Sequence, residues 1–154
     1  MPAPVSATTT RTSPAALDGL RILLVEDAED TRELVVTVLG QHGAIVTAVP
    51  SVAAAREALA SSVFDVLVSD IGMRGEDGYA LIREVRRRPE PLRTIPALAL
   101  TAYARAEDRR RALREGYDVH VAKPVDPREL VRMIAELHPA PGRPPTRGEA
   151  KEAS

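Results

Sequence analysis

The stretch "RILLVEDAEDTREL", residues 21–34, decides the fold. Residues 22–25, with Leu20 just upstream, are leucine or β-branched throughout, which is the composition of a short buried strand. The run then meets Glu26 and Asp27, and each carboxylate raises the cost of ionising its neighbour. Beyond them Leu34, Val35, Val38 and Leu39 recur at helical spacing, which predicts a helix over about residues 30–41. Strand, acidic pair, helix: the first two-element unit of the chain carries a charge problem at its joint.

The same unit repeats without the acids. Apolar runs follow at "AIVTAV" (44–49), "DVLVS" (65–69), "PALALT" (96–101) and "VHVA" (119–122). Amphipathic segments lie between and after them, at 52–60, 79–87, 107–115 and 127–137. Gly116 is placed to stop the fourth helix from the C′ position. Asp126 reads as the N-cap of the last helix, with Pro127 at its first position. Five strands alternating with five helices define an α/β domain on a parallel sheet. Strands that lack polar alternation fit a sheet covered on both faces. Right-handed crossovers then favour a doubly wound sheet in the flavodoxin-like strand order 2-1-3-4-5.

Bulk properties narrow the function. Twenty-one basic against 22 acidic residues give a net charge of −1, which speaks against a nucleic-acid or membrane surface as the main partner. The arginine runs at 86–88 and 109–111 do not change this. Consecutive helical residues fan around the axis, Glu84, Glu107, Asp108 and Glu115 lie nearby, and a solvated helix surface is the simpler reading. The absence of cysteine excludes disulfides, thiol catalysis and thiolate metal sites. With 44% hydrophobic residues and no membrane-length apolar run, the expectation is a soluble, cytoplasmic domain. Residues 1–17 and the Pro-rich residues 139–154 lack apolar periodicity and read as disordered tails around a folded unit at 18–138.

In a doubly wound sheet, ligands bind outside the carboxyl ends of the strands where the strand order reverses. Glu26 and Asp27 follow the first strand, Asp70 ends the third, Thr101 the fourth and Lys123 the fifth. The first and third strands are neighbours, so Glu26, Asp27 and Asp70 converge. Three crowded carboxylates call for a counter-charge, and a hard divalent cation with oxygen ligands, Mg²⁺ or alternatively Mn²⁺, supplies it. Carboxylate, cation, lysine and hydroxyl together suit phosphoryl transfer, where catalysis is mostly positioning and charge neutralisation.

The segments "LLVEDAEDTREL", "VLVSDIGM", "GEDGY", "ALALTA" and "VAKPVDP" together resemble the receiver domain of two-component response regulators over about residues 20–138. The resemblance implies a phosphorylation-activated switch, fed by a histidine kinase or a histidine phosphotransfer protein. Asp70 matches the phosphoacceptor. Asp27 matches the direct metal ligand, Glu26 its partner acting through water, and Gly72 the position that offers a backbone carbonyl. Thr101 matches the hydroxyl that moves toward the phosphoryl group, and Lys123 the lysine that pairs with it. The Lys123–Pro124 peptide is expected to be cis. His120 stands where the family usually has Tyr or Phe, and is expected to turn inward as Thr101 moves. Arg74 replaces the family's usual proline, which touches loop stiffness and not the chemistry. Tyr103 and Gly72 occupy positions that tend to control water access to the acyl phosphate, and the bulk of Tyr103 is expected to slow its hydrolysis.

The resemblance also implies a downstream protein partner on the face formed by the fourth helix, fifth strand and fifth helix. The sixteen residues after His138 are too few for an output domain, and the expectation is a stand-alone receiver or the terminal receiver of a hybrid kinase. Two rival readings remain. A phosphorylation-independent interaction module of the same shape has no need of the intact acids, threonine and lysine. An aspartyl phosphatase requires a second aspartate two residues after Asp70, where this chain has Gly72.

Overall fold

A computed structural model describes residues 16–72, 78–102 and 105–138. The strands are β1 (Arg21–Val25), β2 (Ile45–Val49), β3 (Val66–Asp70), β4 (Ala97–Thr101) and β5 (Val119–Ala122). The helices are α1 (Glu29–Gln41), α2 (Val52–Ser61), α3 (Gly78–Val85), α4 (Ala106–Glu115) and α5 (Pro127–Leu137), with a 3₁₀ turn at Leu92–Thr94. The strands form one parallel sheet in the order β2-β1-β3-β4-β5. The doubly wound α/β fold expected from the alternation of elements is therefore the observed one.

Period-2 alternation divides the core between the two faces of the sheet. Leu23, Val25, Leu67, Ala97 and Ala99 pack with residues of α2, α3 and α4. Ile22, Leu24, Val66, Val68, Leu98 and Leu100 pack with residues of α1 and α5 on the other side. The central strands β3 and β4 are buried along their whole length, as a doubly covered sheet requires. The edge strands depart from that expectation: β2 has no fully buried residue and β5 has one, because each has only one neighbouring strand.

Local signals account for the joints. The Asp126 side chain accepts a hydrogen bond from the Arg128 amide at 3.0 Å and caps α5 ahead of Pro127. Ser51 does the same for α2 through the Ala54 amide at 3.1 Å. Gly116 ends α4 at φ +134°, a conformation costly to any residue with a Cβ.

Two sequence readings need correction. Leu17, assigned by composition to the N-terminal tail, is 1% exposed and belongs to the core under α1 and α5. Backbone bonds hold it there: the Leu17 amide donates to the His42 carbonyl at 3.0 Å, and the Gly19 amide to Gly43 at 2.9 Å. The apolar residues among 1–17 are mostly alanines without periodicity in a Thr-, Ser- and Pro-rich stretch, so the anchor was not visible in the pattern. Arg86, read as a solvated helix arginine, instead ties three segments together. Its guanidinium donates to the carbonyls of Gly116 (2.9 Å), Arg93 (2.8 Å) and Ile95 (2.7 Å), and pairs with Asp118 at 3.1 Å. Residues 1–15 and 139–154, which hold most of the two expected tails, lie outside the described residues.

A candidate phosphoryl-transfer site at the carboxyl edge of the sheet

The β1–α1, β3–α3, β4–α4 and β5–α5 junctions meet at one rim. Pairing of β1 with both β2 and β3 places Glu26 and Asp27 beside the end of β3. One carboxylate oxygen from each of Glu26, Asp27 and Asp70 lies within 4.8 Å of the others. The three differ in burial: Glu26 is fully buried, Asp70 is 5% exposed, and Asp27 is exposed at the mouth.

Lys123 is the cation facing this cluster. Its Nζ lies 2.9 Å from Glu26 Oε1 and 3.2 Å from Asp70 Oδ2. The lysine reaches the cluster because its amide donates to the Thr101 carbonyl at 2.7 Å, continuing the β4–β5 ladder one residue past the strand. The Lys123–Pro124 peptide is cis. Thr101 itself is fully buried at the end of β4, and His120 is half-buried on β5 opposite Ala99.

Backbone amides complete the anion binding. The Ala28 amide donates to Glu26 Oε2 at 3.0 Å, and the Gly72 amide to Asp70 Oδ1 at 3.0 Å. Arg32, which the sequence reading passed over, donates from Nη1 to the Glu26 carbonyl at 2.8 Å and reaches the Asp27 carbonyl at 3.5 Å. It thereby ties the first turns of α1 to the acidic loop. Its five-residue offset from Asp27 sets it one turn into the helix, and that spacing is the only trace it leaves in the sequence.

Burial drives the electrostatics. Desolvation pushes the Glu26 carboxyl above its ordinary range, against the opposing pull of Lys123 and the Ala28 amide. Burial alone depresses an ammonium, but the carboxylates of Glu26 and Asp70 outweigh it and hold the Lys123 pKa above its ordinary value. Glu26 and Asp70 thus share Lys123 while Asp27 stands at the mouth, a donor set that fits a hard divalent cation bound through oxygen. Arg74 and Tyr103, for which the sequence raised expectations, lie outside the described residues.

Gly78, the first residue of α3, is a site feature that the sequence reading missed. A Cβ there would lie 2.7 Å from the Asp70 carbonyl oxygen, 2.9 Å from the Tyr117 hydroxyl and 3.0 Å from Ile71 Cα. Only glycine lets α3 start this close to the phosphoacceptor-like aspartate.

A doubly wound sheet with acids, threonine and lysine at its switch point defines the class of two-component receivers. Residues 22–135 match the family model described as "Response regulator receiver domain", and the chain belongs to that family. It is 47% identical over 120 residues, 78% of this chain and 91% of the relative, to an uncharacterized 14.6 kDa protein of Leptolyngbya boryana. It is 36% identical to hybrid signal transduction histidine kinase D of Dictyostelium discoideum, over 79% of this chain and 8% of that protein. Several other relatives are likewise much longer, and the chain spans 46% of PetR from Rhodobacter capsulatus and 14% of the sensor protein GacS from Pseudomonas syringae. Among solved structures, the receiver domain of sensor histidine kinase PA1611 from Pseudomonas aeruginosa is 33% identical with a TM-score of 0.71, covering 77% of this chain and 97% of that one. That structure has a magnesium ion coordinated in its active-site cleft. A response regulator from Chloroflexus aurantiacus is 30% identical with a TM-score of 0.73, over 78% of this chain and 98% of that one.

Proposed function

We propose that this receiver takes a phosphoryl group onto Asp70 from a histidine kinase or a histidine phosphotransfer protein, and that the acquired charge changes what it binds. The observation that carries this is the placement of Lys123 Nζ between Glu26 and Asp70, within a cluster of three carboxylates. An Asp70 oxygen attacks the phosphorus of a phosphohistidine, the P–N bond breaks, and the imidazole leaves with its electron pair and gains a proton. The product is an acyl phosphate on Asp70.

Glu26, Asp27, Asp70 and the Gly72 carbonyl would hold Mg²⁺, or Mn²⁺ in its place. When bound, the cation neutralises charge on the carboxylates and on the incoming phosphoryl oxygens. Lys123 is placed to pair with a phosphoryl oxygen in exchange for its present contact with Asp70. Thr101 supplies a hydroxyl at the neighbouring strand end, and His120 lies on β5 as the ring that responds. The face of α4, β5 and α5 is where a downstream partner would read the change. Such a switch needs two arrangements whose balance the phosphoryl group shifts by differential contacts.

Incubation with Mg²⁺ and a small-molecule phosphodonor is expected to add the mass of one phosphoryl group, and Asp70→Asn is expected to remove that increment. In the same samples the His120 imidazole resonances should shift on adduct formation. A wild-type protein without the increment would favour the phosphorylation-independent interaction module. Rapid multiple turnover of the donor would favour a phosphatase.

Asp27 offers a second test. Because its side chain is exposed, Asp27→Ala is expected to change metal-free stability by no more than about 0.5 kcal/mol. It should nevertheless weaken Mg²⁺ binding and abolish Mg²⁺-dependent adduct formation. A variant that unfolds more readily in chelator would mean that Asp27 serves the fold.

A further inference from the structure

Tyr117 lies in the α4–β5 turn, between Gly116 and Asp118, just ahead of the strand that carries His120 and leads to Lys123. It is 3% exposed, and its hydroxyl donates to the Gly78 carbonyl at 2.8 Å, across 39 residues of sequence. A buried tyrosine hydroxyl ordinarily finds some acceptor, so the bond alone says little. Its acceptor gives it meaning. Gly78 is the residue whose missing Cβ lets α3 rest on the Asp70 carbonyl and on Ile71.

The residues on both sides of Tyr117 are held from the other end of the same helix. Arg86, one residue past α3, donates to the Gly116 carbonyl at 2.9 Å and pairs with Asp118 at 3.1 Å. Tyr117 is therefore fixed to the start of α3 through its side chain and to the end of α3 through its neighbours. A second tie acts at the start of the helix. The Arg111 guanidinium of α4 lies 4.1 Å from the centroid of the buried Tyr79 ring, next in sequence to Gly78.

We propose that Tyr117 is a positioning residue for Asp70. Its hydroxyl holds the first turn of α3 against the phosphoacceptor's backbone, so that the Asp70 junction and the α4–β5 turn move together. The coupling is separate from the Thr101–His120 pair, and it rests on the phosphoacceptor reading of Asp70. It assigns to one hydroxyl a task that packing of the aromatic ring does not perform.

Tyr117→Phe separates the two roles, since it keeps the ring and removes only the oxygen. Amide hydrogen exchange of residues 78–82, measured in chelator without any phosphodonor, is expected to accelerate about tenfold in this variant. The initial rate of adduct formation at saturating Mg²⁺ is expected to fall several-fold. Mg²⁺ affinity should fall by less than the adduct rate, because two of the four proposed ligands, Glu26 and Asp27, are delivered by β1 and only Asp70 and Gly72 share in the displacement. Wild-type exchange or a wild-type adduct rate in Tyr117→Phe would overturn the proposal, as would a matching loss of Mg²⁺ affinity. A wild-type protein that forms no adduct would overturn the phosphoacceptor reading instead, and the exchange measurement tells the two failures apart. Should the Tyr117 variant not fold, Arg111→Gln loosens the same helix start from an exposed position. It is expected to accelerate exchange of residues 78–82 about threefold, and an unchanged rate there would also count against the clamp.

Discussion

Lys123→Met should leave the metal-free protein about 3–5 kcal/mol less stable at neutral pH, with the lower figure favoured because the lysine side chain is 20% exposed. The substitution keeps the aliphatic stem and removes the cation that faces a fully buried Glu26 and a nearly buried Asp70. A buried pair that loses one partner costs more than the pair contributes, because the other charge stays desolvated. The pH dependence has a definite sign. Burial already holds the folded Glu26 carboxyl above its ordinary value of 4.5, and loss of Lys123 raises it further. The folded state then binds a proton that the unfolded state releases, so stability falls as pH rises above about 4.5. The deficit relative to wild type should be small near pH 4 and full at pH 7. Mg²⁺ should restore part of it at pH 7 by binding only the folded state. Urea unfolding in chelator across that range checks the expectation. A deficit independent of both pH and Mg²⁺ would show that Lys123 matters through packing alone.

Gly78→Ala is the second large effect, and simple helix propensity predicts the wrong sign for it. Alanine is favoured over glycine inside a helix by about 1 kcal/mol. Two of the three atoms that the new Cβ would meet are backbone, the Asp70 carbonyl oxygen at 2.7 Å and Ile71 Cα at 3.0 Å. Neither can swing aside, so the start of α3 must lift away. Overpacking costs about 1–3 kcal/mol, and the strained Tyr117–Gly78 hydrogen bond about 1 more. Set against the propensity gain, the net expectation is a loss of about 1–3 kcal/mol, read from the midpoint of urea unfolding. Adduct formation should slow by tenfold or more, since displacement of a reacting group by a fraction of an ångström is costly. Gly40→Ala is the control. Gly40 lies in α1 with nothing within 4 Å of the missing Cβ, so alanine there should stabilise by up to about 1 kcal/mol. Equal behaviour of the two variants would remove the close approach of α3 from the account of the site.

The strands were legible because their signal is local. β1 and β5 have the limits read from the sequence, β2 and β4 start one residue later than expected, and β3 is displaced by one residue to Val66–Asp70. Asp70 is the last residue of the β3–β4 ladder, opposite Leu100, at the strand end where the sequence put it. Convergence of Glu26, Asp27 and Asp70 was also legible, since strand order and strand ends together determine it. The third helix was read as 79–87 and is Gly78–Val85. A glycine at its start looks like a breaker until Asp70 and Tyr117 are seen around it. Arg86 looked like one of three equivalent arginines because three of its four acceptor groups are main-chain carbonyls, which no residue identity advertises. Arg32 escaped for the same reason. Pair partners that are side chains can be guessed from composition, whereas carbonyl acceptors emerge only once the backbone is folded.

The anchoring of Leu17 bears on how the protein is handled at the bench. Leu17 sits ahead of β1, at the amino pole of the sheet, while the carboxylates occupy the opposite pole. The five residues of β1 separate the two by roughly 15 Å. A dye, surface linker or fused reporter attached upstream therefore enters at a fixed point, pinned by the His42 and Gly43 carbonyls, on the side remote from the acids. Attachment through that end would leave the acidic rim on the side of the sheet away from Leu17.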